Sequence, residues 1–92
     1  MHLEKVRFSA SAWEDRGYWK KTNDRKKLRR INQLIEDTLR NGYGGIGKPE
    51  LLKEKKFHGC WSKRIDKEHR FVFCIENDIL YILSCRNHYT KS

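Results

Sequence analysis

One proline and six glycines in 92 residues, with no internal repeat and no low-complexity linker, exclude collagen-like, proline-rich and linker-dominated architectures. No stretch approaches the roughly 18 apolar residues that a membrane-spanning helix needs. The opening MHLEKVRFSAS also lacks the apolar centre of a signal peptide. The expected setting is therefore cytoplasmic, with no membrane. Cysteine is scarce: Cys60, Cys74 and Cys85 are odd in number, lie in strand-like runs and show neither CxxC nor HxxxH spacing. That excludes a disulfide framework or metal cluster as the organising device and reads as small buried thiols in a reducing compartment. No cofactor and no metal are expected. Negative charge is short as well, with 12 acidic residues against 21 basic ones and a net charge of +9.

That imbalance is concentrated. KKTNDRKKLRR carries seven Lys or Arg between Lys20 and Arg30, opposed only by Asp24. A polyanion is the natural partner of such a patch, nucleic acid before an anionic membrane surface. At 37% hydrophobic and 36% charged, the composition suits a folded globule rather than a disordered chain. Its length allows one domain, residues 1–92, around a small aromatic-rich core.

The elements follow from periodicity. LEKVRF alternates loosely enough for a short strand. SASAWEDRGYWKK offers Ser11 as helix N-cap with Glu14 in capping-box spacing, Trp13 and either Tyr18 or Trp19 then facing inward. Asn23 or Asp24 can cap a longer helix whose apolar face is Leu28, Ile31, Leu34, Ile35 and Leu39, with Gly42 ending it. Its Lys26, Lys27, Arg29 and Arg30 fall mostly off that face and near the N-terminal half, where the helix dipole disfavours cations. NGYGGIGKPELLK is loop-like and suits close backbone approach to another surface, but it lacks the order of a phosphate-binding P-loop. The remainder reads as a three-stranded meander, roughly Phe57 to Asp66, His69 to Glu76 and Ile79 to Arg86, with Asn77 and Asp78 in the last tight turn. The final strand is apolar on both faces, hence interior or covered on both sides. The fold class expected is α+β: two N-terminal helices packed on a mainly antiparallel four-stranded sheet.

Polar residues gather at the ends of these elements. Glu50 closes the glycine loop, Arg64 lies near the end of the first meander strand, Arg70 opens the next, and His88 and Tyr89 follow the last. RNA cleavage without a metal requires a base for the ribose 2′-hydroxyl, an acid for the departing 5′-oxygen and a cation for the phosphate. Glu, His and Arg can fill those roles. The alternative is that Glu50 pairs with a nearby lysine, Arg70 with Glu68 or Asp66, and nothing converges. Spacing alone leaves both open.

The stretches GKPELLK, GCWSKRI, KEHRFVF and SCRNHY, in that order behind a basic two-helix half, resemble the YoeB/Txe family of bacterial toxins in the RelE superfamily. The resemblance extends from the first strand to Tyr89. It implies a metal-independent endoribonuclease that enters the 70S ribosome and cuts mRNA in the decoding site, neutralised by an acidic antitoxin of the YefM/Axe kind. It is also compatible with a homodimer. Carried over by motif, the general base is Glu50, the phosphate-stabilising arginine Arg70 and the general acid His88. Lys53, Arg64 and Tyr89 then hold substrate. Leu51 replaces a second proline common in the family, residues 54–60 run one residue longer, and TKS extends the end. The competing reading is a basic ribosome-binding inhibitor that blocks translation without cutting. A gyrase-poisoning relative of the same superfamily fold and a structural ribosomal protein fit the motif order less well.

Overall fold

A computed structural model describes residues 3–86. Its elements are β1 (Lys5–Phe8), α1 (Ala10–Lys21), α2 (Arg25–Asn41), β2 (Glu50–Leu51), β3 (Trp61–Arg64), β4 (Arg70–Glu76) and β5 (Ile79–Ser84), with a single 3-10 turn at Lys55–Phe57. They form an α+β fold in which one sheet runs β1-β5-β4-β3-β2. The expected four strands are five, since the residues around Glu50 add a two-residue edge strand antiparallel to β3. The strand expected at LEKVRF is present as β1 ahead of the helices, and it joins β5 in parallel at the edge of an otherwise antiparallel sheet.

The helices cover one face of the sheet. Ala12 and Trp19 from α1 and Ile31 and Leu34 from α2 pack with Ile65, Phe71, Phe73, Leu80 and Ile82. A smaller cluster of Leu52, Cys60 and Val72, with Phe57, Cys74 and Leu83 against it, lies on the opposite face. The expected interior position of the last strand is borne out: β5 lies between β1 and β4, and Leu80 and Ile82 are wholly buried. Asn77 and Asp78 make the β4–β5 turn with φ of 52° and 63°. Positive φ at both central positions gives the turn the twist that matches the flanking strands, and Asn and Asp tolerate it.

The start of α1 differs from expectation. Ser9, not Ser11, is the N-cap: its hydroxyl accepts from the Ala12 amide at 3.0 Å and donates to the Leu83 carbonyl at 3.0 Å. The inward face is Ala12, Asp15 and Trp19, and Trp13, about 120° around the helix from Trp19, is turned out at 61% exposure. On α2 the expected cap is borne out. The Asp24 carboxylate accepts from the Lys27 amide, and Gly42 ends the helix with φ of 62°.

The glycine loop approaches the chain's own α2 and β3. A Cβ on Gly47 would stand 2.9 Å from that of Lys63, and the Gly47 carbonyl accepts from the Arg64 amide at 2.7 Å. A Cβ on Gly45 would collide with the Asp37 carboxylate. That carboxylate receives the Ile46 amide and the Nζ of Lys63, a lysine with no exposed surface. Lys63 also donates to Thr38 Oγ1 at 2.8 Å and to the Gly42 carbonyl at 3.2 Å. All three Nζ hydrogens thus find acceptors, which is what a buried ammonium requires.

Candidate active site

Strand alternation decides which face each polar residue uses. Lys63 and Ile65 point toward the helices, so Ser62 and Arg64 occupy the helix-free face. Phe71 and Phe73 point inward, so Arg70 and Val72 point out. Leu52 belongs to the outer cluster, and Glu50, two residues earlier, shares its face.

The register then arranges these residues in rows. Glu50 faces Ser62 and Ser62 faces Val72 across three strands; a bulge between Val72 and Phe73 then pairs Val72 with Ser84, whose hydroxyl turns to Asp15 of α1. Arg64 and Arg70 face each other in the next row. Ser84 is thus two residues of β4 away from Arg70, and the chain leaves β5 on the Arg70 side. Glu50 and Arg64 are diagonal neighbours, within reach of side chains as long as these. Three of the residues singled out in the sequence therefore share one end of one face. Lys53, exposed, follows β2 in the adjoining loop. His88 and Tyr89 lie outside the described residues.

Among the described residues, neither Glu50 nor the two arginines form an ion pair. The Arg70 Nη1 is instead fixed by neutral acceptors, the carbonyls of Asp66 at 2.9 Å, Lys67 at 3.2 Å and His69 at 3.2 Å. Its orientation is set without neutralising its charge, which suits a group meant for an outside anion. Asp66, the expected competitor for Arg70, has other partners. One carboxylate oxygen accepts the amides of Glu68 and His69, and the other meets Lys27 Nζ at 3.0 Å. Burial acts to raise the Asp66 pKa, but those amides and Lys27 outweigh it and hold it below the ordinary carboxylate value. The hydrogen bond that Lys27 donates to Asp66 correspondingly raises the Lys27 pKa.

The basic half of α2 reaches the same end of the sheet. Arg30 donates through Nε and Nη2 to the Arg64 carbonyl at 3.2 and 3.0 Å. With Lys26, Lys27, Ile65 and Asp66 it lines a cleft of about 370 Å³. The cations that the helix dipole disfavours are thus gathered around the β3–β4 loop.

Asp15, missed in the sequence, and Trp19, one of the two residues expected to face inward, hold the end of β5. The Cys85 amide donates to Asp15 Oδ2 at 2.9 Å, and the Cys85 carbonyl accepts from Trp19 Nε1 at 3.1 Å. One turn of α1 therefore clasps both sides of this residue. The next residue, Arg86, lays its guanidinium 3.9 Å from the centre of the Tyr18 ring. The Trp19 ring also packs edge-on against His69 at 4.8 Å. Among the described residues, none offers a hydrogen-bond partner to the buried Nδ1 of His69, one residue from Arg70. The signal that could have exposed the clasp is an acidic residue four positions before a tryptophan on an otherwise apolar helix face.

Residues 8–89 match the model of the YoeB-like toxin of bacterial type II toxin–antitoxin systems. Toxin YoeB of Escherichia coli K12 is 45% identical over 85 residues, covering 92% of this chain and 99% of that protein. A YoeB/ParE toxin from Agrobacterium tumefaciens superposes with a TM-score of 0.86 at 39% identity, covering 94% of this chain and all of that one. YoeB of Staphylococcus aureus, solved in a heterotetrameric complex with YefM and as a dimer, superposes with TM-scores of 0.83 and 0.84 at 41% identity, covering 97% of this chain and all of that one.

Proposed function

From the premise that this chain belongs to the YoeB-like toxins of bacterial type II toxin–antitoxin systems, we propose that it is a metal-independent endoribonuclease that cuts mRNA in the decoding site of a translating 70S ribosome. The observation that carries the reading is the register that sets Glu50, Arg64 and Arg70 together on the helix-free face, beside the exit of β5.

In the proposed reaction Glu50 takes the proton from a ribose 2′-hydroxyl, which attacks the adjacent phosphate. Arg70, its guanidinium already aimed by three carbonyls, stabilises the added negative charge, with Arg64 and Lys53 alongside. His88 gives its proton to the departing 5′-oxygen. The products are a 2′,3′-cyclic phosphate and a free 5′-hydroxyl. Tyr89 stacks on a base, a contact worth about 1–3 kcal/mol. Lys26, Lys27 and Arg30 extend the positive field around the site and hasten encounter with RNA.

S. aureus YoeB is known with YefM and as a dimer, and the same kinds of partner are proposed here: a YefM-like antitoxin presenting an acidic segment, and a second copy of this chain. The proposed compartment is the cytoplasm, where translating ribosomes are. No helix among the described residues is long and apolar enough to cross a membrane.

Primer extension on translating ribosomes tests the activity. New message ends within the decoded codon are expected with the native protein and not with Glu50→Gln or His88→Ala. Stalled ribosomes carrying intact message would favour the non-cleaving inhibitor and remove Glu50 and His88 from these roles.

A further inference from the structure

Cys60 and Cys74 lie together in the small cluster on the helix-free face. Their relation follows from the ladder. Trp61 faces Phe73, so the residue before Trp61 comes opposite the residue after Phe73. The Cys60 carbonyl accepts from the Leu52 amide at 2.9 Å, and the Cys60 amide donates to the Phe57 carbonyl at 2.8 Å. Its main chain is thus turned away from β4. Cys60 and Cys74 form a non-hydrogen-bonded cross-strand pair, in which Cα atoms approach to about 4.5 Å. A disulfide spans Cα separations of about 4.4–6.8 Å, so this pair needs little backbone movement to close. The Cys60 thiol donates to the His58 carbonyl at 3.9 Å, and each of the two thiols acts on the other's ionisation.

We propose that Cys60 and Cys74 constitute an oxidation site at which hydrogen peroxide closes a reversible disulfide between β3 and β4. Cys74, the more accessible of the two, reacts first. Its thiolate attacks one peroxide oxygen, the O–O bond breaks, hydroxide leaves, and a sulfenic acid forms. The Cys60 sulfur then attacks the sulfenyl sulfur. The S–S bond forms, the S–O bond breaks, and water departs with the Cys60 proton. Two thiols lose one electron each and one peroxide takes both.

The order of the two steps agrees with the surroundings. Burial raises the pKa of both thiols, Cys60 to about 11, but the interaction between them favours the thiolate on Cys74 and disfavours it on Cys60. Because both are protonated at neutral pH, closure is slow there. Its rate should rise roughly tenfold per unit between pH 7 and pH 9 as the thiolate fraction grows. Cys85 is an internal control: it is fully buried on the helix side, and burial lifts its pKa to about 12. The new covalent loop would carry Arg64 and Arg70 and restrain the unfolded chain, raising Tm by several degrees.

The test is exposure of the native full-length protein to hydrogen peroxide at mildly alkaline pH, followed by unfolding, thiol alkylation and peptide mapping. The expected product has lost two hydrogen atoms, keeps one alkylatable thiol of the original three, and contains a Cys60–Cys74 linked peptide. Dithiothreitol should restore all three thiols, and Cys85→Ser should leave the reaction unchanged. A link through Cys85, a link between two chains, sulfinic acid on Cys74 with Cys60 free, or three intact thiols where the unfolded protein oxidises would each overturn the proposal. None of these readouts uses a ribosome, so the result stands apart from the nuclease reading.

Discussion

Arg64 of β3 stands directly opposite Arg70 of β4, and the Arg64 amide is turned away to the Gly47 carbonyl at 2.7 Å. Two like charges therefore occupy the closest kind of cross-strand position, an arrangement that destabilises a sheet by about 0.2–1 kcal/mol. A fold has no use for such a pair. An approaching phosphate does, because each cation adds to the attraction and the bound anion relieves their repulsion.

Replacing Arg64 by glutamine should thus make the protein slightly more stable and less active. The expected gain is within about 1 kcal/mol in urea unfolding, together with at least a tenfold loss in cleavage of ribosome-bound message. Arg64 is the better choice for this test because Arg70 holds three carbonyls of the β3–β4 loop. A variant clearly less stable than the native protein would show that Arg64 is structural.

Lys63 behaves in the opposite way. It is wholly buried and its Nζ meets Asp37, Thr38 and Gly42. Desolvation lowers its pKa, with Asp37 opposing the change. Lys63→Ala removes the packed stem and leaves Asp37 without its buried cation, so a loss of about 3–5 kcal/mol is expected in denaturant unfolding. Replacing both partners together, Lys63→Met with Asp37→Leu, should recover part of that loss. If Lys63→Ala melted like the native protein, the pair would have no role in holding the glycine loop to α2 and β3.

Much of this fold was legible because hydrophobic period and turn chemistry agreed. The stripe of α2, the Asn77–Asp78 turn and the two-faced β5 all point to one arrangement. Trp13 does not face inward as expected because it lies about 120° around α1 from Trp19, so the two cannot share the buried face. The two-residue β2 carries no periodicity to detect. Of the site, residue types and their positions at element ends could be read directly, but the placing of Glu50 diagonally beside the Arg64–Arg70 pair exists only once strand register is fixed. The Lys63–Asp37 pair joins α2 to β3 across 26 residues, and no local pattern marks it.

Acid should unfold the protein through identifiable carboxylates. Burial acts to raise the pKa of Asp37, but hydrogen bonds from Lys63, Asn41 and the Ile46 amide outweigh it and leave it lowered; Asp66 is lowered as well. A depressed native pKa means that the unfolded chain binds the proton first. The stabilisation is complete above the ordinary value of 3.8 and is lost as pH falls below it through the native values. Stability measured by urea unfolding should be nearly flat from pH 7 to pH 5 and fall below about pH 4. Asp37→Asn and Asp66→Asn should each make that acid slope shallower, and an unchanged slope in both would place the acid sensitivity elsewhere.

The clasp on Cys85 gives the most discriminating test of how α1 serves the site. Trp19→Phe keeps an aromatic ring beside His69 but removes the Nε1–H that the Cys85 carbonyl accepts. An unsatisfied buried carbonyl costs about 1–3 kcal/mol, so the variant should be measurably less stable yet folded. If the clasp only stabilises, each folded molecule should cut as fast as the native protein. If it aims the chain leaving β5 at the row that holds Arg70, the single-turnover cleavage rate on saturated ribosomes should fall tenfold or more, because misplacing a reacting group by a fraction of a bond length removes much of the benefit of orientation. Ribosome affinity, which on the proposed reading rests on the basic half of α2 and the arginine pair, should change little. A loss confined to affinity would detach Trp19 from the chemical step and leave it as a packing residue of the core.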